Sequence, residues 1–450
     1  MRSSHFRTTR HRRDGQVLTL FVLFALVLVL FVGLGIDLGF AYITKAQLSK
    51  ALDAGSLAAV SNYSSTDGGT AANTLAINTF WANYGTNGVI GRAANGRVTP
   101  TGTFVPDPAT GILTYTNFAS TKINTYFIRL LPQWRTLTVA DTSVATRAPV
   151  IMTLVLDRSG SMDPVGNLGT CSGNTRGGLY LPGAVTQFIN IFDEQLDRAA
   201  LVTFSVSSSN DVRMSASKGP FKTPIITAIN RINNNNLWAG GTCTISGMTN
   251  ALVIQDSVIN PNAVKVVVLF TDGQANMSEG VFNGVPLNFG GQNPLKAGCP
   301  FTPQGASFWR TNTAESSNPP NVCNVPGCNN AAACNGGGIV VGSTFTNAHN
   351  TAVNFCTLTI TEDATNRCVL LANQMRASKN SSNYVYAVGL AVANAVEAPT
   401  LDLLQEVAND PDSSTFDPQK PVGAAFLSSG QDLAEVFRQV AADIILRLVR

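Results

Sequence analysis

The chain has 450 residues, of which 13% are charged and 44% hydrophobic, with a formal net charge of +3. That length allows two or three domains. The low charge density excludes a highly charged disordered chain, and the near-neutral balance excludes nucleic-acid binding through a basic surface.

The small positive balance is unevenly placed. Arg2, Arg7, Arg10, Arg12 and Arg13 fall in a basic segment, residues 1–16, ahead of the first apolar run. That run opens at Val17, closes at Ile36 and contains no charge. About 20 apolar residues at ~1.5 Å each span a hydrocarbon core of ~30 Å. The arginines in front predict a cytoplasmic N-terminus and export of everything after Asp37. A cleaved signal peptide would need a shorter apolar region and a small-residue cleavage site, so the run reads as a retained single-pass anchor. Leu38, Ala41, Lys45, Leu48 and Leu52 continue at three-four spacing, and no Pro or Gly interrupts residues 40–54. One helix is therefore expected from about residue 16 to residue 60, its outer half offering a narrow apolar seam to the chain itself or to a partner helix.

Residues 61–147 read as a separate small α+β or β-rich module. Residues 71–84 suit a short helix. Gly, Pro, Asn and Thr turns then separate short alternating runs at 111–117 and 137–140. The module contains no His or Cys, and it reads as a spacer or packing platform.

From residue 148 the chain alternates strand and helix to its end. Residues 150–156 are apolar without alternation, which suits a strand buried on both faces of a parallel sheet. The run ends at Asp157, with Ser159 and Ser161 in the following loop, where open α/β sheets place their ligands. Thr242 follows the pair Gly240 and Gly241, and a second buried run, residues 264–270, ends at Thr271 and Asp272. All these groups offer oxygen alone, the ligand set preferred by hard divalent cations.

Further strands are expected at 199–206, 384–390 and 424–427. Helices are expected around Val185, Phe188, Ile189, Phe192 and Leu196, with Pro182 in the first turn, and at 224–232, 245–259, 401–407 and 431–450. Thr359 and Glu362 have capping-box spacing ahead of a helix that carries Ala364, Cys368, Leu371 and Met375 on one face. Residues 276–356 break the rhythm. They are rich in Gly, Asn and Pro and have too little apolar periodicity for a core, so they read as an insertion beside the Asp272 strand end. It either shapes the ligand face or is decorative. The eight cysteines are Cys171, Cys243, Cys299, Cys323, Cys328, Cys334, Cys356 and Cys368. None forms a Cys-x-x-Cys pair, which argues against a zinc ribbon. Outside the cytoplasm they would form disulfides; otherwise they are buried thiols.

Asp157-x-Ser159-x-Ser161, then Thr242, then Asp272, resembles the metal-ion-dependent adhesion site (MIDAS) of von Willebrand factor A (vWA) domains, and residues 431–437 resemble the terminal helix of that family. The resemblance implies a doubly wound α/β domain over residues 148–450. Ser159, Ser161 and Thr242 would contact Mg²⁺ (or Mn²⁺ or Ca²⁺) directly, the two Asp would act largely through water, and one position would stay open for an acidic group of a partner. Gly15 and Gln16, the apolar span, residues 35–42 with Asp37, and residues 47–59 with Asp53 resemble the N-terminal module of TadE/TadG-like Flp pilus-assembly proteins. Members of that group cleaved by prepilin peptidase carry Glu at the fifth position after the cleavage Gly; here that position is Leu20, which implies a permanently anchored TadG-like protein.

The combined expectation is a protein held in the bacterial inner membrane through residues 17–36, with its C-terminal domain outside the cytoplasm. It would bind pilus or envelope proteins through the metal. A structural scaffold whose metal only stabilises the fold is the alternative. A Mg²⁺-dependent hydrolase is disfavoured: His5, His11 and His349 are the three histidines, none of them beside the metal motif, and Glu279 is the best candidate base.

Overall fold

The structure is a computed structural model that describes residues 14–84, 98, 100–130, 132–165, 176–273, 275, 277–282, 285–290, 307–310, 344–347, 352–354, 357–378, 383–390 and 401–449. Two compact units share the chain, Met1–Val105 with Thr114–Thr146, and Pro106–Leu113 with Arg147–Arg450.

In the first unit, α1 (Asp14–Ser61) is an uninterrupted helix of 48 residues. Val17–Ser61 is long and apolar enough to cross a membrane, with mean hydropathy 3.1 over its most apolar window. The large apolar side chains between Val17 and Phe31 are exposed. Beyond them the helix buries a face formed by Gly33, Asp37, Thr44, Leu48, Ala51 and Leu52. The expected seam is thus partly displaced, because Leu38 is 53% exposed and Lys45 is also outward. Small and polar residues set the packed face, since they let neighbouring backbone approach. A Cβ at Gly55, for example, would stand 2.8 Å from the carbonyl oxygen of Ala76.

That carbonyl belongs to α2 (Thr70–Tyr84), whose buried stripe Ala72, Ala76, Phe80 and Tyr84 repeats every fourth residue. Strands β1 (Thr101–Pro106), β2 (Leu113–Asn124) and β3 (Thr136–Arg147) form a sheet in that order. Burial along β2 alternates strictly, so one face of the sheet packs inward. Leu48, Ala51 and Leu52 of α1 share a core with Phe80, Ala119 and Ile123. The outer half of α1 therefore packs on its own module. Both strands outrun the short alternating runs predicted for them.

The second unit contains β4 (Val150–Asp157), α3 (Gly177–Asn190), β5 (Arg198–Phe204), β6 (Ser208–Val212), α4 (Lys222–Asn234), α5 (Thr244–Ser257) and β7 (Val264–Thr271). Within the expected insertion follow β8 (Met277–Phe282), β9 (Val285–Gly290), β10 (Ser307–Arg310), β11 (Thr344–Asn347) and β12 (Ala352–Asn354). The remaining elements are α6 (Thr357–Arg376), β13 (Asn383–Leu390), α7 (Leu401–Ala408), β14 (Ala425–Ser428) and α8 (Leu433–Leu448).

The main sheet has the order β14-β13-β7-β4-β5-β6. Every pairing is parallel except β5 with β6. Every residue of β4 is buried, as its unalternated apolar run requires. Met152, Leu154 and Leu156 face one core with Phe188 of α3, Ile225 of α4 and Phe437 of α8. Val155 faces the other core with Met248 of α5, Leu371 of α6 and Leu404 of α7. Burying each such side chain is worth roughly 1.5–3 kcal/mol. The doubly wound α/β architecture is therefore as expected, with one addition: the antiparallel edge strand β6 is too short and polar to show in the sequence pattern.

Three local expectations need correction. Pro182 sits inside α3 rather than in its first turn. The helix begins early because Gly177 and Gly178 lie against the loop after β4; a Cβ on Gly178 would stand 2.8 Å from both the Met162 carbonyl oxygen and the Trp238 ring. Phe192 and Leu196 lie beyond α3, which ends at Asn190. Thr359 does not cap α6, which already starts at Thr357. The described parts of the insertion form a five-stranded antiparallel sheet ordered β10-β9-β8-β11-β12, which the sequence reading did not anticipate. Backbone pairing across that sheet needs no helical apolar period, which is why composition concealed it.

Cys243 and Cys368 are buried thiols. Burial pushes the Cys368 thiol up to about 12, so it behaves as an inert core side chain. Cys171, Cys299, Cys323, Cys328, Cys334 and Cys356 lie outside the described residues, as do the N-terminal arginines and His349.

Candidate metal centre

The strand order reverses around β4. From β4 the chain moves to β5 on one side, and later to β7 on the other. Crevices at such switch points, beyond the carboxyl ends of the strands, are where open α/β sheets bind ligands. Asp157 ends β4, and Asp272 follows directly on Thr271, the last residue of β7. Pairing of Leu156 with Phe270 sets the two strand ends side by side.

Asp157 is fully buried. Its Oδ1 accepts the backbone N–H of Ser159 at 2.7 Å, and its Oδ2 accepts the Thr271 hydroxyl at 2.7 Å. The Thr271 oxygen in turn accepts the Gly273 N–H at 3.3 Å. These bonds fold the loop back over the strand end and fix the orientation of the Asp157 carboxylate. Ser161 Oγ donates to Asp272 Oδ1 at 2.9 Å, Ser159 Oγ reaches the same oxygen at 3.4 Å, and the two serine oxygens are 3.0 Å apart. Ser159 and Asp272 are each 1% exposed.

The third segment is stitched to the first through backbone. Gly160 N–H donates to the Gly240 carbonyl at 2.9 Å, and Ala239 N–H donates to the Arg158 carbonyl at 3.1 Å. Gly240 has φ +87°, a left-handed conformation that glycine adopts without steric cost. On the far side, Cys243 N–H donates to the Ser205 carbonyl at 2.8 Å. Thr242, held between these anchors, is 3% exposed. Asp157, Ser159, Ser161 and Asp272 are thus linked directly, and Thr242 lies on the loop bonded to theirs.

Burial pushes the Asp157 carboxyl above the ordinary carboxylate range, opposed by its bonds to Ser159 and Thr271. A buried carboxylate of this kind is costly without a compensating positive charge. The donor chemistry, two carboxylates and three hydroxyls, is what a hard divalent cation takes. Thr271 was not singled out from the sequence. Its role follows from register, which sets its hydroxyl opposite Asp157, and no sequence period encodes that pairing. Glu279 lies in β8, and its side chain is outside the described residues.

The family described as "Putative Flp pilus-assembly TadE/G-like" matches residues 15–62, and the von Willebrand factor type A family matches residues 152–286. The chain joins a TadE/G-like N-terminal region to a vWA domain.

The match over residues 152–286 runs from β4 into β9, so all five candidate ligands fall inside it. No curated protein matches the chain. Solved structures similar to it include the pilus adhesin SpaC from Lactobacillus rhamnosus GG, at 16% identity and TM-score 0.37, covering 80% of this chain and 36% of that one. Another is the PilB minor pilin from Streptococcus sanguinis, at 13% identity and TM-score 0.39, covering 78% and 79%. A third is the vWF domain of the type V pili tip protein Mfa5 from Porphyromonas gingivalis, at 15% identity and TM-score 0.38, covering 68% and 97%. The chain thus spans little more than a third of the length of SpaC.

Proposed function

We propose that this chain is a membrane-anchored, exported protein of Flp/Tad pilus assembly or adhesion, whose vWA domain binds a partner protein through a divalent cation. The observation that carries the reading is the linkage of Asp157, Ser159, Ser161 and Asp272 at the switch point of the sheet, with Thr242 on the loop bonded to theirs. Ser159, Ser161 and Thr242 hold the cation directly, while Asp157 and Asp272 balance its charge and orient the hydroxyls. A bound Mg²⁺, Mn²⁺ or Ca²⁺ supplies an electrophilic centre for a carboxylate of the partner. The anchor is the apolar part of α1, with the arginines before it on the cytoplasmic side. No residue is assigned a catalytic step.

The full burial of Asp157 also favours a second reading, in which the cation only stabilises the fold. Pull-down from membranes with full-length wild type and Asp157→Ala, in Mg²⁺ or in EDTA, separates the two. The expected result is a set of partners retained by wild type in Mg²⁺ and lost in EDTA or with the variant, while the protein stays folded and membrane-inserted. The same partners under all conditions would overturn metal-dependent binding. Unfolding of wild type in EDTA would favour the scaffold.

A further inference from the structure

We propose that the segment joining β2 to β3 sits in the bilayer that α1 crosses, as a second lipid-contacting element beside the helix. This rests on the reading of α1 as a membrane anchor.

Asp37 is the first charge after the apolar run and is 1% exposed. Its carboxylate accepts three consecutive backbone N–H groups of the β2–β3 segment. Tyr126 donates to Oδ1 at 2.7 Å, and Phe127 and Ile128 donate to Oδ2 at 2.9 Å each. Charge-assisted bonds of this number fasten the segment to the helix at the end of the charge-free span. One turn deeper, Gly33 lies under Phe127, where a Cβ would collide with the Phe127 ring. That places the contact roughly 6 Å along the axis from Asp37, inside the run that has no charges.

The surface around this clasp is apolar and open. Ile128 and Trp134 line a groove of about 560 Å³ together with Val27, Leu30, Leu34 and Leu38 of α1. The groove follows the helix to Val27, roughly 15 Å from Asp37, or about half of a ~30 Å hydrocarbon core. Tyr126 is 58% exposed and Trp134 is 48% exposed. Soluble monomers rarely leave so continuous an apolar surface in water. Trp and Tyr favour the boundary between headgroups and acyl chains. Arg129 and Arg135 are exposed on the same segment, and long cationic side chains can reach headgroup phosphates while their stems stay in apolar surroundings. The occupant that fits is a lipid acyl chain, because the groove continues the outer wall of the apolar span itself.

The test uses the full chain reconstituted in phosphatidylcholine vesicles with brominated acyl chains. Tryptophan quenching is compared for wild type and Trp134→Phe, with vesicle flotation measured alongside. The expected result is bromine-dependent quenching in wild type, at least half of it lost in Trp134→Phe, with flotation unchanged. Asp37→Asn, which replaces the accepting carboxylate by an amide, should likewise reduce the quenching while the protein still floats. Equal quenching in wild type and Trp134→Phe, with both floating, would overturn the lipid-seated segment and leave the anchor standing. Failure of wild type to float would overturn both. Quenching that vanishes as protein density in the vesicles rises would put a second copy's helix in the groove and overturn the lipid assignment.

Discussion

Full-length Asp157→Asn in detergent is expected to lack the Mg²⁺-dependent rise in thermal stability expected of wild type, while being at least as stable as wild type in chelator. The Asp157 carboxylate is buried, and its pKa is raised chiefly by desolvation. A raised pKa in the folded state means that the proton favours folding. The corresponding stability is present at low pH and is lost as pH rises through the raised value. At neutral pH the metal-free domain therefore carries a penalty that Asn does not. The Asn amide can keep the Ser159 N–H on its oxygen and direct its NH₂ to Thr271, whose hydroxyl can turn to the Gly273 carbonyl 3.1 Å away. Mg²⁺ at one hundred times its Kd should stabilise wild type by about 2.7 kcal/mol and the variant by little. In chelator, the stability difference between the two should shrink on acidification into the carboxylate range, as wild-type Asp157 takes up its proton. Thermal unfolding against pH, with and without Mg²⁺, checks both parts; an equal Mg²⁺ response in the two proteins would remove Asp157 from the metal centre.

The largest loss of stability is expected from Asp197→Ala. Arg147 and Asp197 form an ion pair at 2.7 Å with side chains 4% and 1% exposed. Asp197 also accepts the backbone N–H of Val150 at 3.0 Å and of Asp193 at 2.8 Å. Removing the carboxylate leaves a buried guanidinium and two buried N–H groups without it, a loss of about 3–5 kcal/mol. The effect bears on function as well as stability, because the Val150 bond fixes the start of the strand that ends at Asp157. Replacing both partners, as in Arg147→Met with Asp197→Leu, should cost much less than Asp197→Ala, since no uncompensated charge remains. Denaturant midpoints of the full chain in detergent measure the difference. A cost below about 1 kcal/mol for Asp197→Ala would show that the pair is hydrated and does not hold β4.

Much of the architecture is legible in the chain because it follows from local periods. The uncharged run from Val17 to Ile36 specifies a long apolar helix whatever surrounds it, and the unalternated apolar runs of β4 and β7 specify strands covered on both faces. The oxygen-bearing residues at the ends of those strands named the candidate ligands for the same reason: strand ends are visible wherever an apolar run stops. Packing decided the rest. The two glycines pressed against Met162 and Trp238 set where α3 begins, and no helical period records a contact made across the fold. The sheet in the insertion rests on backbone pairing, including that of β8 with the distant β11, and composition does not encode it. Asp37 stood in the sequence as the charge that closes an apolar run and as part of the TadE/TadG-like resemblance; only the tertiary structure brings Tyr126, Phe127 and Ile128 to its carboxylate. In the same way the sequence by itself named the oxygen-bearing side chains proposed as ligands, while strand register decided that Thr271 faces Asp157 and that Ser159 and Ser161 meet Asp272. Local patterns are properties of neighbouring residues, whereas register and close approach are settled by the packing of the whole sheet.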